Sequence, residues 1–253
     1  MTGTALRGHR PFPARGRSGR ALALGLAVIL ALAAPTSAGD NFEALRHGMV
    51  EQQVKKRGIT DPDVLAAMDQ VPRHMFVPDA LRPKAYGEEP LDLGQGRTVY
   101  QPYMVALMTQ LLGLKHNSKV LEIGTGSGYH AAVLSRIARE VYSIEIVEPV
   151  AAQASKRLST MGYHNVEVRS GDGYRGWPDR APFDAILLSA APRTVPPELI
   201  KQLRVGGKMV VPVGGLFFQD LLVITKTADG LQKRQVIPVR LAPMTGKAQD
   251  GHR

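Results

Sequence analysis

The sequence predicts a doubly wound α/β domain built on a mainly parallel sheet, and three observations predict it. Short apolar runs alternate with helical patterns from Lys119 to Pro212. One of these runs opens into a loop with glycines at 124, 126 and 128 and then into an alanine-rich helical pattern. Two strand-like runs, Asp220 to Lys226 and Leu231 to Arg240, are joined by Ala228-Asp229-Gly230 and read as a hairpin at the sheet edge.

Along the chain, Asn41 to Arg57 has a helical pattern that Gly58 ends. Asp61 then supplies an N-cap and Pro62 a first-turn proline for a helix running to about Gln70. Between Pro72 and Gly96 proline and glycine are frequent and periodicity is weak, which predicts an irregular segment able to cover a ligand. Pro102 starts a helix whose apolar positions Met104, Leu107, Met108, Leu111 and Leu112 belong to a core face. The alternating part follows: strand Lys119 to Ile123, helix to Ala138, strand 141 to 145, helix Pro149 to Met161, strands 166 to 169 and 183 to 188, helix 196 to 203, and strand 207 to 212. Short connections between such elements require helices on both faces of the sheet.

The chain has 253 residues and shows no internal repeat. Residues 1 to 38 form a separate segment: five arginines and no acid up to Arg20, an apolar run from Ala21 to Ala33, and small residues at Thr36 and Ala38. This is the pattern of a signal peptide of the general secretory route, leaving 39 to 253 as one domain with 39 to 100 as N-terminal helices and covering segment. Thirteen apolar residues are too short to span a bilayer, so no stable membrane insertion is expected after leader cleavage. The expected location is the periplasm, or the cytoplasm if translation starts at Met49. Without the five arginines the formal charge falls from +10 to +5, a mild excess that argues against a nucleic-acid groove. The chain has no cysteine, which excludes disulfides and thiolate chemistry.

The glycine loop carries the chemistry. A dinucleotide fingerprint G-x-G-x-x-G would need glycine at 129, where the chain has Tyr129, so pyrophosphate is disfavoured. Glu122, two residues before the first glycine, suits a cationic group, and S-adenosylmethionine carries an ammonium and a sulfonium. Glu145 ends the next apolar run, where a carboxylate meets ribose hydroxyls. A Gly171-Asp172-Gly173 turn follows the strand after that, and strand ends of an open sheet converge on one crevice. The seven histidines make no metal-ligand pair, Ser127 has no glycine at either i±2 position, and there is no Walker A sequence, so metal, serine-nucleophile and P-loop chemistry are not expected.

Several blocks together resemble the protein-L-isoaspartate (D-aspartate) O-methyltransferases, a family of S-adenosylmethionine-dependent enzymes with a seven-stranded, Rossmann-like class I sheet. They are VPRHMFVP, GQGRTVYQPYMVALMTQLL, VLEIGTGSGY, GDGYRGWP with APFDAILLSAAP, LRVGGKMVVPVG and RLAPM, and the likeness runs from about Met49 to Lys247. The resemblance implies that Glu122, Gly124, Thr125, Gly126, Ser127 and Gly128 face the methionine end of the cofactor, that Glu145 and Ile146 flank the ribose, and that Asp172 and Gly173 meet the adenine edge. It places Thr98 and Tyr100 at the reacting carboxylate, and Arg97, Val99, Gln101, Ala191 and Pro192 beside the substrate.

The implied reaction is methyl transfer to isoaspartyl carboxylates of damaged proteins, by an enzyme expected to be monomeric. Where the family reads Gln-Thr-Ile-Ser, the chain has Arg97-Thr98-Val99-Tyr100, so a phenol replaces a small hydroxyl. Asp92 and Gly87-Glu88-Glu89 also depart from the family pattern. Two alternatives stand beside this reading: a methyltransferase for another carboxylate, and a non-catalytic S-adenosylmethionine-binding protein.

Overall fold

The computed structural model describes Met1, residues 38–94 and residues 97–248, the side chains of 38–41 excepted. The leader expected over residues 1 to 38 lies almost wholly outside them.

Among the described residues the chain begins with helix α1 (Ala38–Met49), which passes into a five-residue π turn at Val50–Val54 and a 3-10 turn at Lys55–Arg57. The single helix expected here is thus underwound and then overwound toward its end, and the π turn keeps Val50 and Val54 both in the core. Gly58 ends it in the left-handed region at φ 94°. Helix α2 (Pro62–Gln70) follows as expected, with the Asp61 carboxylate accepting from the backbone N–H of Asp63 at 2.9 Å and Val64 at 3.3 Å.

The segment expected to be irregular contains two 3-10 turns and a small antiparallel ribbon of β1 (Leu91–Gly94) and β2 (Arg97–Val99). Strands of four and three residues, each with one buried side chain, are too short for an alternation to be read. Helix α3 (Pro102–Leu112) then leads into the main sheet.

That sheet holds β3 (Lys119–Ile123), β4 (Glu140–Glu145), β5 (Val166–Ser170), β6 (Phe183–Leu188), β7 (Leu203–Gly214), β8 (Gln219–Thr227) and β9 (Gly230–Val239), in the order β5-β4-β3-β6-β7-β8-β9. The first five pair in parallel, and β8 and β9 run antiparallel as an edge hairpin. Helices α4 (Tyr129–Ser135), α5 (Glu148–Thr160) and α6 (Pro197–Gln202) supply crossovers.

Successive strand residues serve opposite faces. Val120, Val141, Ala185, Leu187 and Val210 join one core with α1 to α4, while Leu121, Ile144, Ile186, Leu188 and Met209 join the other with Trp177, Phe183 and Leu199. Strand β7 starts four residues before its expected place because Phe183 pairs with Leu203 across a register shift. Its first four residues, Leu203-Arg204-Val205-Gly206, make no continuous apolar run, and a Cβ at Gly207 would come within 2.9 Å of the Asp184 carbonyl oxygen.

Chain order reverses direction beside β3, with β4 on one side and β6 on the other. The carboxyl ends of these strands therefore open a crevice, the place where open α/β sheets take ligands.

The covering segment is held on this edge by Arg73, which has no exposed surface. Its Nε donates to the Ala85 carbonyl at 2.7 Å and its Nη2 to the Tyr100 carbonyl at 2.7 Å, and its guanidinium lies 4.7 Å from the Tyr129 ring centroid. Burial lowers its pKa while Tyr129 opposes that shift. Replacement by alanine leaves two carbonyls and a cavity unpaired, so Arg73→Ala should cost at least about 3 kcal/mol of unfolding free energy. Urea denaturation checks this, and a loss below about 1 kcal/mol would refute the role.

Candidate active site

The crevice is a cleft of about 320 Å³, within the range of small-molecule sites. Its floor is the loop after β3, where Gly124, Gly126 and Gly128 have φ of 98°, 52° and 87°. These values favour glycine, and at Gly128 a Cβ would also meet the Leu158 side chain at 3.2 Å. Gly173 closes the far end, and a Cβ there would lie 2.3 Å from Ile123 Cγ2. The strand end and the Gly171-Asp172-Gly173 turn thus touch only because one of them lacks a side chain.

Glu145 stands at the end of β4 and binds the loop directly. Its Oε2 accepts from the Gly126 N–H at 2.9 Å and its Oε1 from the Val147 N–H at 3.1 Å. A carboxylate has about four acceptor positions, so two remain for ligand hydroxyls.

Beneath the loop a buried chain of side chains runs from Thr125 Oγ1 to Ser143 Oγ at 2.6 Å and from the Ser143 hydroxyl to Glu122 Oε2 at 2.5 Å. Burial, opposed by the Ser143 hydrogen bond and reinforced by the charge of Glu145, pushes the Glu122 carboxyl up to about 8. Glu122 has no exposed surface and lies outside the cleft wall, its protonated form is favoured by burial, and its Oε1 has no protein partner.

Of the other expected residues, Arg97, Thr98, Val99, Tyr100, Gly124, Thr125, Gly126, Ser127, Glu145, Ile146 and Gly173 line the cleft. Gln101 sits at the N-cap of α3, outside the wall, and its carbonyl accepts from the Val105 N–H. Gly128 supports the loop from below.

Ala191 and Pro192 lie outside the cleft wall, with backbone groups paired to neighbouring segments. The Ala191 N–H and C=O bind the Ala242 carbonyl and the Met244 N–H, each at 2.8 Å, and the Pro192 carbonyl accepts from the Gly214 N–H at 3.1 Å. Asp172 caps a 3-10 turn through the Tyr174 N–H, and its other oxygen accepts from the Lys247 N–H at 2.8 Å. It stands at the rim while Gly173 meets the cleft.

Tyr100 departs most from expectation. Its hydroxyl donates to the Ser189 carbonyl at 2.7 Å and accepts from the Ala242 N–H at 3.1 Å, and burial raises its pKa so that the proton stays. A hydroxyl has one proton to donate, so while this bond stands it has none for a substrate carboxylate. Tyr100 is a strut between the end of β6 and the C-terminal segment.

Sequence reasoning missed Ser189, His130 and the stretch Ala242 to Thr245, all of which line the cleft. Thr109 Oγ1 donates to the Val105 carbonyl at 2.7 Å and therefore accepts from His130 Nε2 at 3.0 Å. Burial lowers the His130 pKa to about 3, which leaves a neutral ring with Nδ1 as an acceptor. His130 Nδ1 and Ser189 Oγ are buried without a protein partner, as is Glu122 Oε1 behind the loop.

Fold and site together define a class I methyltransferase: a parallel sheet with an antiparallel edge hairpin, a glycine loop after its central strand, and an acidic residue ending the next. Comparison with known proteins narrows the class. The sequence profile of protein-L-isoaspartate (D-aspartate) O-methyltransferase matches residues 45–249. A Synechococcus protein-L-isoaspartate O-methyltransferase is 54% identical over 217 residues, covering 83% of this chain and 89% of the relative. Protein-L-isoaspartate O-methyltransferase 2 of Shewanella sediminis is 50% identical, covering 85% and 89%.

A solved protein-L-isoaspartate O-methyltransferase superimposes with a TM-score of 0.72 at 29% identity, over 80% of this chain and 67% of its own. A Plasmodium falciparum structure in complex with S-adenosyl-L-homocysteine shares the fold with a TM-score of 0.68 at 23% identity, over 79% and 98%. The chain belongs to the protein-L-isoaspartate (D-aspartate) O-methyltransferase family.

The raised pKa of Glu122 has a sign that can be measured. The folded state holds this proton more tightly than the unfolded chain, so the stability it contributes is full below about pH 4.5 and lost as pH rises through about 8. Glu122→Gln keeps the shape without the proton. Melting temperatures of the variant and the parent, measured without cofactor, should diverge in the variant's favour from pH 5 to pH 8, and a constant difference would contradict the assignment.

Proposed function

We propose that the protein transfers a methyl group from S-adenosylmethionine to the free carboxylate of L-isoaspartyl and D-aspartyl residues in damaged proteins, the first step of their repair. The observation that carries this reading is the cleft itself, with a glycine loop pinned by Glu145 and two unpartnered polar atoms in its wall, in a chain of this family.

The residues present fit the cofactor. Glu145 keeps acceptor positions for the ribose diol, and Ile146 would lie against the nucleoside. Gly173 would offer backbone to the adenine edge, with Asp172 behind it, and Gly124 to Ser127 would pass along the methionine end. Glu122 would act through the Ser143 and Thr125 chain, fixing the loop that receives the ligand. When bound, S-adenosylmethionine supplies an electrophilic methyl on a sulfonium.

The acceptor carboxylate, with an ordinary pKa near about 4, is ionised at neutral pH and needs no general base. The protein's contribution is placement and exclusion of water, worth roughly 7–11 kcal/mol in well-oriented reactions. Thr98 and Ser189, whose residues line the cleft, would orient that carboxylate, since Tyr100 is engaged with backbone. Arg97 and Val99 would flank the substrate at the mouth.

No helix among the described residues is long and apolar enough to cross a membrane. The basic and apolar leader pattern supports export, with repair then directed at proteins outside the cytoplasm. Fractionation of cells producing the full chain checks this, with recovery only in the cytosol as the contrary result.

Labelled S-adenosylmethionine and paired peptides that differ only in isoaspartate or aspartate test the activity. Base-labile label is expected on the isoaspartyl peptide alone. Label on neither, or on both equally, would defeat the reading. Tyr100→Phe should retain measurable turnover while raising the KM for S-adenosylmethionine about 5- to 30-fold, as loss of the strut loosens the C-terminal wall. Abolished turnover with unchanged cofactor affinity would instead restore Tyr100 to a catalytic role.

A further inference from the structure

A second cleft of about 340 Å³ adjoins the first and shares Arg97, Gly126 and Ser127 with it. Its wall brings together three guanidinium groups from distant parts of the chain: Arg82 from the covering segment, Arg97 from β2 and Arg157 from α5. The acid in that wall is Asp79, already paired with Arg82 at 2.9 Å.

The other two arginines are positioned by neutral groups. Arg157 Nη1 donates to the Ser127 carbonyl at 2.8 Å, and Arg97 donates to the carbonyls of Gly94 at 3.2 Å and Leu93 at 3.3 Å. Among the described residues neither pairs with a carboxylate. Arg82 Nε is buried and without a partner. Partial burial also lowers the pKa of Arg157, the mark of a cation short of compensating charge.

Carbonyl oxygens fix the direction of a guanidinium without neutralising it. Fixed forks with donors to spare suit the planar, bidentate recognition of a carboxylate. The cleft is polar and open to solvent, and it meets the first cleft at Arg97, so an extended peptide entering one can reach the other within two or three residues at about 3.3 Å each.

We propose that this three-arginine cleft is a substrate subsite that takes an acidic side chain flanking the residue to be methylated, so that the enzyme prefers isoaspartyl sites in acidic sequence. The proposal rests on the isoaspartyl activity given above and adds the identity of the favoured neighbours.

The test uses isoaspartyl peptides with neutral flanks and twins in which two glutamines within three residues of the isoaspartate, on the N-terminal or the C-terminal side, become glutamates. With the full-length protein at low salt, kcat/KM for one of the acidic twins should exceed that of its neutral parent about fivefold or more, through KM. The ratio should fall toward one at 0.5 M salt, where the Debye length is only about 4 Å.

Gln153 lines the same cleft four residues before Arg157 on α5, so Gln153→Glu places a carboxylate at i,i+4 from that arginine and suits a helix. In this variant the acidic-to-neutral ratio should fall at least threefold, and Arg157→Gln should lower it as well. Because the ratio is read within one preparation, a general loss of activity cannot imitate the effect.

A ratio of one or less for both acidic twins with the parent enzyme, or a ratio that Gln153→Glu leaves unchanged, would overturn the proposal while the isoaspartyl activity stands. No label on any isoaspartyl peptide would overturn both.

Discussion

The site depends on the pair of hydrogen bonds that the Glu145 carboxylate accepts from the Gly126 and Val147 N–H groups. Charge-assisted bonds of this kind are among the stronger ones a fold makes; the Gly126 bond joins the loop after β3 to the end of β4, and the Val147 bond fixes the carboxylate on its own strand end. They hold the left-handed glycines in an open curve and keep the carboxylate at the floor of the cleft. The second acid, Glu122, lies directly below and could not share that region as a second buried anion. Burial and the neighbouring charge favour its protonated form, and the Ser143 hydroxyl, itself bonded to Thr125, satisfies Oε2 while Oε1 has no protein partner. Two acidic residues that look alike in sequence thus sit differently, one in the cleft wall and one buried behind the loop.

The other wall of the cleft is set by Tyr100. Its hydroxyl spans 89 residues to the Ser189 carbonyl and 142 residues to the Ala242 N–H. The C-terminal segment is held from a second side by its backbone pairing with Ala191. Replacement of the family's small hydroxyl by a phenol therefore does not put a longer donor in the same place. It makes the position one that fixes the wall, because its one proton is given to a backbone carbonyl. Arg73 continues the same logic from behind, because it holds the Tyr100 carbonyl while Tyr100 holds the strands in front.

Much of this was legible in the sequence where the signal was local. The alternation of apolar runs and helices gave the strands to within a few residues, and Asp61, Gly58 and Pro102 marked helix ends because caps and φ preferences act over a few positions. The glycine loop, Glu145 and Gly173 were visible for the same reason. What stayed hidden was set by distance or burial. Ser189 and Ala242 to Thr245 reach the cleft only through the order of the sheet, and no pattern in their own neighbourhoods points to a ligand. The charge state of Glu122 follows from its depth, and the engagement of Tyr100 from partners far along the chain. The β1–β2 ribbon was too short to leave a period.

The most direct test of this account is a crystal structure of the protein with S-adenosylhomocysteine bound. The ribose hydroxyls should lie within hydrogen-bond distance of Glu145 while its bonds to Gly126 and Val147 persist, Glu122 should stay behind the loop, and the Tyr100 hydroxyl should still bridge Ser189 and Ala242. A ligand that displaces the Tyr100 hydroxyl from those backbone groups, or that leaves Glu145 without a ribose contact, would contradict it.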